Sequence, residues 1–323
     1  MSMRPSAASK TADADVRAFA EDVGYYLSLT PRQLPSRYFY DDLGSALFEA
    51  ICRLPWYAIA RTEQHLLSSH AEHIFGRLQP ISTVVELGPG NGDKLATLLA
   101  VRSQEGVTVH LVDVSRAALD VASRALTQHP GLAVVTHQAT YEEGLSEIQR
   151  SATAAGRTLA IFLGSNIGNF DPPGASAFLK NVRSAFCAGD ALLLGTDLVK
   201  AERDLLLAYD DPLGVTAAFN RNLLVRVNRE LGGDFDVDHF AHRVIWNASE
   251  LRVEMHLAST QRQRVRVPAA GLDITFDAGE TIWTESSYKY RPRDVLSMLD
   301  RAGFSVVRQW REHDFALTLA EAR

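Results

Sequence analysis

Three glycines at every second position, Gly88, Gly90 and Gly92, follow the apolar pair Val84-Val85 and the acid Glu86, and Asp93 and Lys94 then open a helix-like segment. Glycine has no Cβ and tolerates positive φ, so a strand-to-loop switch of this kind lets backbone come close to a nucleotide-like ligand. The next apolar run, 107–112, ends in Asp113. An acid about 20 residues past such a loop is where dinucleotide-type folds hold a ribose diol. The spacing is not that of the nicotinamide fingerprint, because G-x-G-x-x-G needs glycine at position 93, where Asp93 stands. On spacing alone, the loop fits a nucleotide-type cofactor or a glycine turn in some other α/β protein.

A second cluster, Gly164-Ser165-Asn166-Ile167-Gly168-Asn169, follows another apolar run. In open α/β sheets, ligands bind beyond the carboxyl ends of the strands. The Asn169 carboxamide offers an acceptor for an amine and a donor for a carboxylate, while the same residues read equally as a loop-capping turn. His70 and His73, and again His239 and His242, are spaced one helical turn apart. Neither pair has a third ligand nearby in sequence, so no metal is expected.

Positioning these groups falls to a regular alternation of elements. Strands are expected at 83–87, 107–112, 132–136, 158–163 and 191–196, and helices at 93–103, 115–127, 142–151 and 172–187. Such alternation implies a parallel sheet with helices on both faces. Helical spacing also marks 13–29, 45–53 and 62–78. After Lys200 the rhythm stops: 201–232 read as mostly helical and 250–288 as strands. The βα pattern resumes at 293–319 with a helix and two strands.

A length of 323 residues suggests about two domains. One is expected to comprise 61–199 plus 289–323 and to bind the cofactor. A second would comprise 13–60 plus 200–288 and bind substrate, with 1–12 small, polar and disordered. A net charge of −6 without any Lys/Arg block argues against a nucleic-acid partner. No apolar run reaches the roughly 18 residues that cross a bilayer, so no membrane is expected. Two distant cysteines, Cys52 and Cys187, fit a reducing, cytoplasmic setting.

The run E-L-G-x-G-x-G at 86–92 resembles the S-adenosylmethionine loop of class I methyltransferases, and the closing helix and strand pair resemble the end of that fold. The expectation is therefore α/β: a Rossmann-like class I methyltransferase sheet with a second α+β substrate-binding domain. Longer segments are more specific: 38–48, Arg53-Leu54-Pro55-Trp56-Tyr57, Arg61-Thr62-Glu63, Phe162-Leu163-Gly164-Ser165 with Ile167-Gly168-Asn169, 195–200, 208–211 and 214–222. All are similar to the L-histidine Nα-methyltransferase family of ergothioneine biosynthesis, over nearly the whole chain.

That resemblance implies trimethylation of the α-amino group of L-histidine to hercynine, with S-adenosyl-L-methionine as co-substrate, no metal, and a monomer. Carried over, it implies that Asn169 and Tyr209 grip the substrate's amino and carboxylate groups and that Tyr57 faces the imidazole. Glu285 and Ser287 would hydrogen-bond the ring nitrogens, Met255 and Phe48 would shape the pocket, and Tyr40 would lie beside the reacting amine and the cofactor. Gly88, Lys94, Asp113, Tyr141, Gly164 and Ser165 match cofactor positions. Where the family carries an acid contacting the adenine amino group, this chain has Thr140, whose hydroxyl accepts more weakly. Trp56 and Ala58, flanking Tyr57, also depart from the pattern. Two alternatives stay open: an Nα-methyltransferase of another aromatic amino acid, and a catalytically silent S-adenosylmethionine-binding protein.

Overall fold

A computed structural model describes residues 7–101, 106–127, 129, 131–151 and 156–323. The chain runs α1 (Ala7–Leu27), β1 (Arg32–Gln33), α2 (Asp42–Arg53), α3 (Ile59–Leu78), β2 (Ile81–Leu87), α4 (Asp93–Leu99), β3 (Thr108–Asp113), α5 (Arg116–Leu126), β4 (Ala133–Gln138), α6 (Tyr141–Ser151), β5 (Arg157–Phe162), α7 (Pro172–Ser184) and β6 (Ala191–Asp197). It continues through α8 (Glu202–Tyr209), α9 (Val215–Leu231), β7 (Phe240–Asn247), β8 (Arg252–Ser259), β9 (Gln263–Val267), β10 (Leu272–Phe276), β11 (Thr281–Tyr288), α10 (Pro292–Arg301), β12 (Phe304–Glu312) and β13 (Phe315–Ala322). The five strands expected between 83 and 196 shift by at most two residues at either end.

Two differences from expectation are informative. Helix α1 begins at Ala7, inside the stretch expected to be disordered, whose first six residues lie outside the described ones. Strand β7 was not expected, because its residues FAHRVIWN mix polar and apolar groups without a clean period of two.

The chain divides into two compact units. The larger comprises 57–201, 249–251 and 287–323, and the smaller comprises 1–56, 202–248 and 252–286. In the larger unit, among the described residues, seven strands form one sheet in the order β12-β13-β6-β5-β2-β3-β4. The inner pairs β6-β5, β5-β2, β2-β3 and β3-β4 are parallel, and β13 runs antiparallel to β6 and β12. Strand β6, ALLLGTD, is buried at every position, as a central strand covered on both faces must be. One face packs Val85, Phe162 and Leu194 against Leu145 of α6, Phe178 and Leu179 of α7, and Leu299 of α10. Helix α3 packs against β13, β12 and β6 and helix α5 against β3 and β4, and α4 packs against both helices. Capping sets the helix starts: Ser115 Oγ accepts from Ala118 N–H, and Asp171 accepts from Gly174 N–H ahead of Pro172 at the first helical turn.

The smaller unit holds a four-stranded sheet, β1-β11-β8-β7, the hairpin β9-β10, and helices α1, α2, α8 and α9. Helices α2 and α9 pack together. Asp41 caps α2 through Gly44 N–H at 2.7 Å and also accepts from Asn222 Nδ2 and Arg229, each at 2.7 Å. Gly44 must be glycine here, since a Cβ would stand 1.7 Å from the Phe39 carbonyl oxygen. Ser286 is the last residue of the smaller unit on β11 and Ser287 the first of the larger.

Candidate active site

The glycine loop leaves the carboxyl end of β2, a central strand of the seven-stranded sheet. Gly88, Gly90 and Gly92 all take positive φ, at 75°, 56° and 83°. A Cβ on Gly88 would stand 2.9 Å from the Tyr141 hydroxyl oxygen and 3.2 Å from Asn166 Nδ2, whereas Gly90 opens onto empty space. Gly92 serves as the left-handed N-cap of α4, where a Cβ would meet the Ala122 backbone at 2.9 Å. The alternation of glycines thus reflects two close approaches and one open face. Asp113 ends β3, and its carboxylate accepts from Ser115 N–H at 2.8 Å. Burial raises that carboxyl above its usual range, against the pull of the Ser115 N–H.

Glu86 precedes the loop and is 2% exposed, with its Oε2 lacking any hydrogen-bond partner. Burial pushes its carboxyl up to about 8; Lys94 pulls the other way, and Glu63 and Asp113 add to the rise. Tyr141 opens α6 with its ring edge-on to Phe162 and Phe178, at 5.4 and 5.9 Å, and burial raises its phenol. Thr140 is engaged in a capping box. Its Oγ1 lies 3.0 Å from Glu143 Oε2 and accepts from Glu143 N–H at 3.3 Å, while Thr140 N–H donates to that same carboxylate at 3.1 Å. The T-x-x-E spacing that announces this box stands in the sequence.

Beyond β5 the chain turns sharply, with Gly164 at φ 73° and Ser165 at φ 57°. The Ser165 hydroxyl accepts from Asp197 N–H at 2.9 Å, tying this turn to the end of β6. The next residues, Asn166–Asn169, form a short 3-10 turn. It is held down by Tyr290, whose hydroxyl donates to the Ile167 carbonyl at 3.1 Å, and by Gly168, where a Cβ would stand 2.6 Å from the Tyr288 carbonyl oxygen. Asn169 ends the turn exposed. Tyr57 is buried just ahead of α3.

Several polar groups to which the sequence reading gave no role join this end of the sheet. Glu63 on α3 is fully buried, pairs with Lys94 Nζ at 2.5 Å and accepts from Gly164 N–H at 2.9 Å with both oxygens. Asp197 pairs with Lys200 at 2.6 Å and with the fully buried Lys289 at 3.0 Å. Lys289 also donates to the Ser287 hydroxyl at 2.8 Å, so the oxygen expected to serve a ring nitrogen already accepts one bond. For Glu63 the signal was an acid on the inward stripe of α3 with Ile59, Leu66, Leu67 and Ile74. Nothing in the local pattern around Lys289 marks it.

In the smaller unit, Tyr40 and Phe48 meet edge-on at 5.6 Å, and both rings lie 5.9 Å from Phe219. Met255, buried on β8, and Glu285, half-buried on β11, sit on neighbouring strands. Tyr209 ends α8, and its carbonyl lies 2.9 Å from His242 Nε2. His242 Nδ1 in turn faces Asn220 Nδ2 at 2.9 Å. Contrary to the expected helical spacing, His239 belongs to a 3-10 turn, where it pairs with Asp236, and His242 to β7. His70 and His73 both pack on Trp310, stacked at 5.0 Å and edge-on at 5.6 Å. Among the described residues no group of three or more His, Cys, Asp or Glu is placed to hold a metal, and no described helix is long and apolar enough to cross a membrane.

A doubly wound sheet with an antiparallel hairpin at one edge, and a glycine cradle followed by an acid at the next strand end, defines a Rossmann-like protein built for a nucleoside-bearing cofactor. Residues 19–322 match the family described as histidine-specific methyltransferase, SAM-dependent. The chain is 43% identical to the histidine N-alpha-methyltransferase of Mycobacterium tuberculosis, over 95% of this chain and 96% of that one. It is 42% identical to the protein of the same name from Mycolicibacterium smegmatis, over 96% of each. It is also 28% identical to ergothioneine biosynthesis protein 1 of Schizosaccharomyces pombe, over 88% of this chain and 38% of that protein. The chain belongs to the SAM-dependent, histidine-specific methyltransferase family and is an enzyme of that class. The loop's geometry suits a cofactor of that kind: Gly90 opens onto empty space at positive φ, and Asp113 presents a carboxylate at the end of the neighbouring strand.

Proposed function

We propose that the protein transfers three methyl groups from S-adenosyl-L-methionine to the α-amino nitrogen of L-histidine. The product would be hercynine, Nα,Nα,Nα-trimethylhistidine, a step toward ergothioneine. The observation that supports this most is the 43% identity, nearly end to end, to a histidine N-alpha-methyltransferase.

When bound, the cofactor supplies a methyl group already activated on a sulfonium. The chain has no need of a nucleophile; it must hold an amine lone pair in line with the S–CH3 bond and exclude water. We assign the orienting role to Asn169 and Tyr40, with Asn169 and Tyr209 gripping the amino and carboxylate groups. Tyr57 faces the imidazole, Glu285 and Ser287 bond its nitrogens, and Met255 and Phe48 shape the space around it. Gly88, Lys94, Asp113, Thr140, Tyr141, Gly164, Ser165 and Tyr40 serve the cofactor. The attacking amine must be neutral, and the α-amino group of a free amino acid, beside a carboxylate, is almost wholly protonated at pH 7, so the reaction draws on a small neutral fraction. Its proton leaves to water, and each added methyl requires the nitrogen to rotate before the next round. The enzyme works as a cytoplasmic monomer in this reading.

Incubation of the pure protein with histidine and S-adenosylmethionine, followed by mass analysis, tests it: the expected product is histidine carrying three added methyl groups, and an unchanged substrate mass sinks the reading. The Glu285→Ala variant separates substrates. A carboxylate accepts from an imidazole N–H, so turnover of histidine should fall at least about tenfold, the worth of a charge-assisted hydrogen bond. Any residual activity on tryptophan or tyrosine should change little.

A further inference from the structure

Helix α3 carries an acid on its buried face. Ile59, Glu63, Leu66, Leu67 and Ile74 share that face, and the Glu63 side chain is 0% exposed. A carboxylate withdrawn from water is tolerated only when paired and hydrogen-bonded. Lys94 Nζ lies 2.5 Å from Oε2, and the Gly164 N–H points between the two oxygens at 2.9 Å from each. Those partners come from separate segments, Lys94 from the first turn of α4 after β2 and Gly164 from the turn after β5, both at the carboxyl end of the sheet. Room for the carboxylate exists because Gly195 on β6 has no side chain: a Cβ there would stand 2.0 Å from Oε1 and 3.3 Å from Cδ. One group on a helix outside the cofactor motifs therefore meets both segments.

We propose that Glu63 is a positioning residue of the cofactor site, acting through Lys94 and the Gly164 amide. The inference rests on the assignment of those two residues to the cofactor. Lysine is a point charge on a flexible four-carbon stem, and ordering it costs entropy. A lysine already held by Glu63 meets the cofactor carboxylate with that cost removed, which is preorganisation. Gly164 and Ser165 hold left-handed backbone, φ 73° and 57°, next to the pinned N–H. In Ser165, a residue with a Cβ, that conformation persists only where its surroundings enforce it, and the N–H that Glu63 holds lies one residue before it.

The contrary possibility is a tie between α3 and the sheet that matters for stability alone. Binding of S-adenosylmethionine and of S-adenosylhomocysteine, measured by calorimetry on the full chain, distinguishes the two. Glu63→Gln keeps the shape and removes the charge, while Gly195→Ala keeps the charge and displaces the carboxylate. Both variants should bind each ligand about tenfold or more weakly, with KM for histidine unchanged. A folded Glu63→Gln protein that binds as the parent does overturns the proposal. Should that variant fail to fold, Gly195→Ala decides, and parental affinity there overturns it equally. Lys94→Met tests the underlying assignment: parental binding in Lys94→Met removes Lys94 from the cofactor site. Weak binding in Lys94→Met with parental binding in Glu63→Gln removes Glu63 alone.

Discussion

Replacing Glu86 by glutamine should make the cofactor-free protein more stable at alkaline pH and leave it nearly unchanged in acid. Glu86 is 2% exposed and its Oε2 has no partner, so ionisation places a charge in a dry site. Burial lifts the carboxyl from 4.5 to about 8, with Lys94 opposing and Glu63 and Asp113 reinforcing. Because the folded-state value is raised, the carboxyl's contribution is fully present below pH 4.5 and is lost as pH rises through about 8. At about 1.4 kcal/mol per pH unit, that interval corresponds to roughly 5 kcal/mol. Glutamine has nothing to ionise and escapes the loss. Urea unfolding of parent and Glu86→Gln in steps from pH 5 to pH 9, without cofactor, reads the difference. It should grow across that range in favour of the variant by several kcal/mol, on the order of the figure above. A difference that stays flat from pH 5 to pH 9 refutes the reasoning, since it would mean the carboxylate ionises in place at no cost.

Three further outcomes follow from the same geometry. Gly88→Ala places a Cβ 2.9 Å from the Tyr141 hydroxyl oxygen at φ 75°, so S-adenosylmethionine binding by calorimetry should be lost while far-ultraviolet circular dichroism is kept. Thr140→Ala removes the Glu143 capping box of α6 and should cost about 1 kcal/mol in urea unfolding. Lys289→Met strands part of the Asp197 carboxylate, at a cost of about 3 kcal/mol, the lower end for a broken buried pair because Lys200 remains on its other oxygen. The double change Asp197→Asn with Lys289→Met should recover some of that loss.

What could be read from the chain was local or periodic. Strands β2, β3, β4, β5 and β6 announced themselves as short apolar runs between turn residues, and their ends fell within two residues of expectation. The glycine loop was legible for a related reason: a backbone that must take φ of 75°, 56° and 83° leaves its mark as residue type. Strand β7 was not legible, because its side chains mix polar and apolar without a regular period. The capping box at Thr140 and Glu143 could have been read from its spacing, and its omission left the hydroxyl assigned to adenine alone.

By itself, the sequence determined the succession of elements, the backbone-exposing loop, and the family to which the chain belongs, since each depends on residue identity within a short window or along a continuous match. Only the tertiary structure revealed which polar groups are buried together. Glu63 reaches Gly164 across 101 residues of sequence, and Lys289 reaches Asp197 from beyond residues 202–286. Such pairs carry no local signature because a carboxylate or ammonium reads as a solvated side chain until folding removes the water. The partner that then makes burial tolerable is chosen by the sheet's strand order, in which chain neighbours need not be neighbours in space.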